Sequence, residues 1–127
     1  ARRRRAAPVV GRWSILGRDL PTEESVSVAA RQLLRRTGVV FRKTIERERI
    51  PVPWWRLVRE FRTLEARGEV RGGRFVAGFD GEQYALPEAV TLLRAVRKRG
   101  GVGVEVPPSD PLHYRGVLTP EPHARTA

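Results

Sequence analysis

Proline and glycine punctuate the middle of this chain so closely that only short elements fit between them. Pro21, Gly38, the Pro51-Val52-Pro53 triplet and Gly68 bound three successive segments, each with room for a few helical turns at most. The first opens with Pro21-Thr22-Glu23-Glu24. Thr22 is an N-cap type whose hydroxyl can accept from a first-turn amide, and two acids there complement the positive end of the helix dipole. Val26, Ala29, Ala30, Leu33 and Leu34 follow at three- to four-residue spacing, and Arg35, Arg36 and Gly38 close the helix with cations and a glycine cap. Val39 to about Arg49 is expected to form a second short helix with Val40, Phe41 and Ile45 inward. Pro53 suits the first position of a third helix that runs to Arg67.

Beyond Gly68 the apolar period becomes strand-like: Val70, then Gly72-Gly73, then Arg74 to Ala77, a turn at Gly78-Phe79-Asp80-Gly81, and a return strand from Gln83 to Leu86. Pro87-Glu88 opens a fourth helix with Val90, Leu93 and Val96 on one side and a basic end at Arg97-Lys98-Arg99. Three short helices followed by a glycine-turned hairpin is the order of a winged helix, a helix-turn-helix with a β wing. The expected class is therefore α+β: a winged helix, a trailing helix and the start of a β-rich segment. The organisation reads as a basic arm or linker over 1–10, the winged-helix domain with its trailing helix over 11–99, including a strand-like run at Gly11 to Gly17, and a β-rich segment over 100–127 with a strand at Val102 to Val106.

Charge narrows the partner. Lys and Arg total 25 against 14 acids, which gives +11, and only Lys43 and Lys98 are lysines. A field of that sign favours a polyanion, and the planar fork of arginine binds phosphate or guanine edges bidentately, although a GC-rich genome also raises arginine content. On a wheel of about 100° per residue, Trp54, Leu57, Val58, Phe61 and Leu64 occupy one arc of the third helix. Trp55, Arg56, Arg59, Arg62 and Thr63 occupy the other. Arginines beside an outward tryptophan fit a nucleic-acid face, with the guanidinium groups on phosphates and the indole stacked on an unpaired base. The bland alternatives are that Trp55 packs under the wing or against a neighbouring domain, and that the arginines pair with Glu60 and Glu65 along the helix. Arg71 and Arg74 extend the candidate face into the wing, where Gly72-Gly73 either lets the backbone approach a phosphate or serves the turn alone.

The sequence offers little to catalysis. No cysteine is present, so disulfides and cysteine-ligated zinc are excluded. Gly100-Gly101-Val102-Gly103 lacks the lysine and hydroxyl residue of a nucleotide phosphate loop. His113 and His123 have no partner at metal-ligand spacing and read as solvated. No catalytic, cofactor or metal residue is assigned, and no apolar run is long enough for a membrane span.

Gly11-Arg12-Trp13-Ser14, Arg36 to Arg42 and the run from Trp55-Arg56 to Val90, with Leu64 to Val76 its most specific part, resemble the C-terminal region of bacterial Lhr (large helicase-related) helicases. Asp110-Pro111-Leu112 is similar to the segment that leads into the family's β-rich terminal domain. Tyr84 stands where the family pattern has phenylalanine, and His113 where it has asparagine. The resemblance implies a module of a DEAD/DEAH-box, superfamily 2, ATP-dependent helicase that moves 3′ to 5′ on single-stranded DNA and serves DNA repair. It implies two RecA-like motor domains upstream, which hold the ATP and Mg; that the parent is cytoplasmic is expected from the lack of a membrane-length apolar run and of an apolar stretch and cleavage site after the basic N-terminus. The expected partners are single-stranded or forked DNA, an RNA–DNA hybrid as a further substrate, and those motor domains. Two other classes stay open: a free-standing winged-helix transcription regulator, and part of a glycosylase-like repair module.

Overall fold

The computed structural model describes residues 21–48 and 50–120; the basic arm, the run from Gly11 to Gly17, and His123 lie outside them. Within those residues the element order is α1 (Glu23–Thr37), β1 (Val39–Phe41), α2 (Arg42–Glu48), α3 (Trp54–Ala66), β2 (Arg71–Gly73), β3 (Gln83–Ala85) and α4 (Pro87–Arg99). The strands form an antiparallel sheet in the order β1-β3-β2, with Val39 opposite Ala85 and Arg71 opposite Ala85 on the other side. Helices and a small sheet thus alternate as a winged helix requires.

α1 starts as its sequence dictates. Thr22 is extended and its hydroxyl accepts from the Ser25 amide at 3.1 Å, while Gly38, at φ 72°, closes the far end with its amide on the Leu34 carbonyl. The left-handed backbone there suits glycine, and a side chain would also press on Ala89.

The second helix is shorter than the sequence suggests. Val39 to Phe41 form β1, and only Arg42 to Glu48 are helical. The reason is burial on both faces of the sheet. Val40 and Tyr84 turn toward α1 and α3, into a core with Val26, Leu33, Leu34, Leu57, Phe61, Leu64 and Val70. Val39, Phe41 and Ala85 turn the other way, to Val90, Phe75, Val76, Phe79 and Leu118. A strand buried on both faces shows a continuous apolar run instead of alternation, which periodicity alone cannot distinguish from a buried helix. The strand-to-helix corner is fixed by Thr44, whose hydroxyl accepts from the Phe41 amide at 3.2 Å and donates to its carbonyl at 2.6 Å.

The wing also departs from expectation. Its first strand is Arg71 to Gly73, and Arg74 to Ala77 leave the sheet. Gln83, buried in β3, accounts for this: its carbonyl accepts from the Phe75 and Val76 amides, 2.8 Å each, and its amide donates to the Val76 carbonyl at 2.9 Å. One side chain thus replaces the ladder bonds a longer strand would make. The loop then folds back on the sheet, with Phe79 4.5 Å from Phe41 between ring centroids. Exchanging Gln83 for leucine should cost about 2–3 kcal/mol, because the wing amides lose their partner while water reaches part of them. Hydrogen exchange at Phe75 and Val76 should quicken in parallel; unchanged exchange and an unchanged denaturation midpoint would contradict this role.

Of the apolar positions expected on one side of α4, Val90 is buried whereas Leu93 and Val96 stay exposed. The strand expected at Val102 to Val106 is not formed among the described residues: Val102 and Val104 are exposed and have no strand partner. The chain instead returns through turns. Arg47 of α2 donates to the Pro111 carbonyl at 3.1 Å and lies over the Tyr114 ring, Val117 is buried, and Leu118 packs against the core cluster on the sheet's second face. No helix among the described residues is long and apolar enough to cross a membrane.

Candidate nucleic-acid interface

The wheel separates α3 as expected. Leu57, Val58, Phe61 and Leu64 are buried, and Trp54 is half-buried at 6.2 Å from Phe61. On the far side Trp55 is 65% exposed, and it packs neither under the wing nor in either core cluster of the described residues.

The arginines do not pair along the helix with Glu60 and Glu65. Arg56 donates to the Pro21 carbonyl at 2.6 Å and to one oxygen of Glu23 at 2.8 Å, leaving its side chain only 19% exposed. Arg59 reaches the other oxygen of Glu23 at 3.1 Å, and Arg62 pairs with Glu82. Arg59 and Arg62 remain 67% and 64% exposed. The Thr63 hydroxyl is turned back to the Arg59 carbonyl at 3.1 Å.

Glu65 has a different task. It accepts from the Gly72 amide at 2.9 Å, so a Cβ at Gly72 would fall 2.6 Å from its carboxylate. A Cβ at Gly73 would lie 3.0 Å from the Phe75 ring. Gly72 therefore lets the wing approach the Glu65 side chain of α3, while Gly73 makes room for the Phe75 ring of the wing loop, both independently of any ligand. Together the Glu65–Gly72 and Arg62–Glu82 contacts join the base of the wing to the outward side of α3. Arg71 and Arg74 are exposed on that base, with no ion-pair partner among the described residues.

The electrostatics follow the contacts. The hydrogen bond from Arg56, opposed by a smaller desolvation and helped by the charge of Arg59, holds the Glu23 carboxyl below the usual glutamate range. Glu82, and after it Tyr84, raises Arg62. Tyr84 is pushed up by burial, with the Arg62 hydrogen bond pulling against it. Where the family pattern has phenylalanine, the Tyr84 ring still stacks on Phe61, 5.0 Å between centroids.

The sequence reading missed the roles of Glu23, Glu82 and Gln83. Glu23 looked like a first-turn acid serving the dipole, and nothing local to it announces a partner 33 residues away. His113, read as solvated, is half-buried with Nδ1 2.8 Å from the Val106 carbonyl.

Residues 19–104 match the model of the winged-helix domain of large helicase-related protein. Over 120 residues, 90% of this chain, it is 31% identical to a protein of Escherichia coli (strain K12) named Lhr helicase/uracil glycosylase, of whose length it spans 8%. No solved structure matches the chain. With β1 between α1 and α2, and a wing directly after α3, the fold agrees with the family match over nearly the same residues: the chain belongs to the large helicase-related (Lhr) family, as its winged-helix domain.

Proposed function

We propose that this domain is the nucleic-acid-guiding module of an Lhr-type ATP-dependent helicase, in which it holds single-stranded or forked DNA for motor domains elsewhere on the polypeptide. The single observation that carries the reading is the outward side of α3, where Trp55 stands exposed with the exposed cations Arg59 and Arg62. Guanidinium groups beside an open indole suit a strand whose phosphates are neutralised while a base stacks. Arg71 and Arg74 on the wing base extend the track, Thr63 borders it, and Arg56 lies at its inner edge. The motor would supply ATP and magnesium chemistry, 3′ to 5′ movement and the link to DNA repair in the cytoplasm; none of these is assigned to a residue of this chain. An RNA–DNA hybrid is a further substrate under the same reading.

Trp55→Ala should weaken binding of a single-stranded oligonucleotide by about 1–3 kcal/mol and leave the melting temperature nearly unchanged, because the indole is 65% exposed. A variant that melts several degrees lower while binding as before would show that Trp55 packs against something instead of stacking.

A second reading is favoured by the name of the Escherichia coli relative, which joins a helicase to a uracil glycosylase. The same surface would then present DNA to a glycosylase on the polypeptide. Uracil excision by the full-length protein that is lost when Arg59 and Arg62 are replaced, with ATP-driven unwinding intact, would select it.

A further inference from the structure

The carboxylates facing α3 sit as occupants of its cationic surface. Glu23 offers one oxygen to Arg56 and the other to Arg59, at 2.8 and 3.1 Å, so that one planar anion bridges two guanidinium groups. Glu82, at the end of the wing loop, meets Arg62 a turn further along. A phosphodiester carries a like pair of anionic oxygens and is recognised by the same forked donors. Glu23 is itself 68% exposed, on the outside of the fold, so a strand can reach the pair without unfolding anything. Glu24, the next residue, is exposed but makes no ion pair among the described residues, so adjacency in sequence alone does not create this arrangement.

We propose that Glu23 is an internal stand-in for a backbone phosphate, seated between Arg56 and Arg59 and displaced when nucleic acid binds, with Glu82 holding Arg62 in the same way. The inference rests on α3 being the nucleic-acid surface. Its consequence is selectivity. A strand must exchange with both carboxylates to use the arginines, which lowers affinity for any polyanion that cannot engage them together. The exchange itself is cheap, since exposed ion pairs contribute little.

The test is binding of a fluorescent single-stranded oligodeoxynucleotide at one low salt concentration. Glu23→Gln keeps the shape and one hydrogen-bond acceptor, and it should tighten binding about threefold, the scale of an exposed ion pair. Glu24→Gln should give a clearly smaller gain, and Glu23→Gln should gain less in an Arg59→Ala background and nothing in an Arg56→Ala/Arg59→Ala background, because coupled residues show their interaction in such a cycle. Equal gains from Glu23→Gln and Glu24→Gln, or a gain that persists with both Arg56 and Arg59 replaced, would reduce the effect to diffuse charge and overturn the seat. If Glu23→Gln melts early, Glu82→Gln with and without Arg62→Ala carries the same comparison at the second pair. Failure of the unmodified chain to bind any oligonucleotide overturns the α3 reading and this inference with it. Binding by the unmodified chain with no gain in either glutamine variant overturns the inference alone.

Discussion

Phe61→Ala should destabilise the domain by about 3–5 kcal/mol and lower its melting temperature by roughly 12 °C or more. Phe61 is wholly buried, stacks on Tyr84 at 5.0 Å between ring centroids and approaches Trp54 at 6.2 Å. It therefore lies between α3 and the central strand β3. Its loss leaves a cavity in the cluster that also holds Leu57, Leu64 and Val40, and such surroundings relax only in part. Because α3 carries the candidate interface on its other side, the same substitution should also loosen the Arg62–Glu82 contact, which spans α3 and the end of the wing loop. Urea denaturation followed by tryptophan fluorescence measures the first effect. A loss below about 1 kcal/mol would mean that the core repacks around the gap, against the expectation for a buried aromatic.

What the sequence made legible was local. The Thr22 cap, the Gly38 stop and the apolar arc of α3 each follow from residues within a turn or two of one another, and all three occur where expected. The order of three helical segments and a hairpin was enough to reach the winged helix, because few folds place a glycine-turned hairpin directly after a third short helix. Val39-Val40-Phe41 was not legible: both faces of the sheet are covered, so the alternation that marks a strand is missing. The wing failed for a different reason. Arg74 to Ala77 have strand-like composition, but their bonding is taken over by Gln83, a residue read only as part of the return strand.

The candidate interface divides in the same way. That Trp55, Arg59 and Arg62 point outward is a matter of helical period, and the structure places them so. Which acids they meet depends on tertiary contacts. Glu60 and Glu65 are near in sequence, yet the arginines choose Glu23 at the start of α1 and Glu82 before β3, because α1 and the wing are packed against either end of α3. Arg56 shows the cost of reading a wheel alone: it lies at the edge of the outward arc and is mostly covered, held by the Pro21 carbonyl and Glu23.

The claim that α3 carries the nucleic-acid surface is tested most directly by the salt dependence of single-strand binding, compared between the unmodified chain and an Arg59→Ala/Arg62→Ala variant. Both side chains are well exposed, and neither is in the core, so the variant should melt close to the unmodified chain. If each arginine neutralises one phosphate, the slope of log K against log salt should flatten by about 1.4, at about 0.7 per single-strand phosphate, and affinity at low salt should fall about tenfold or more. An unchanged slope and affinity, with the variant folded, would contradict the assignment and place the binding surface elsewhere on the domain.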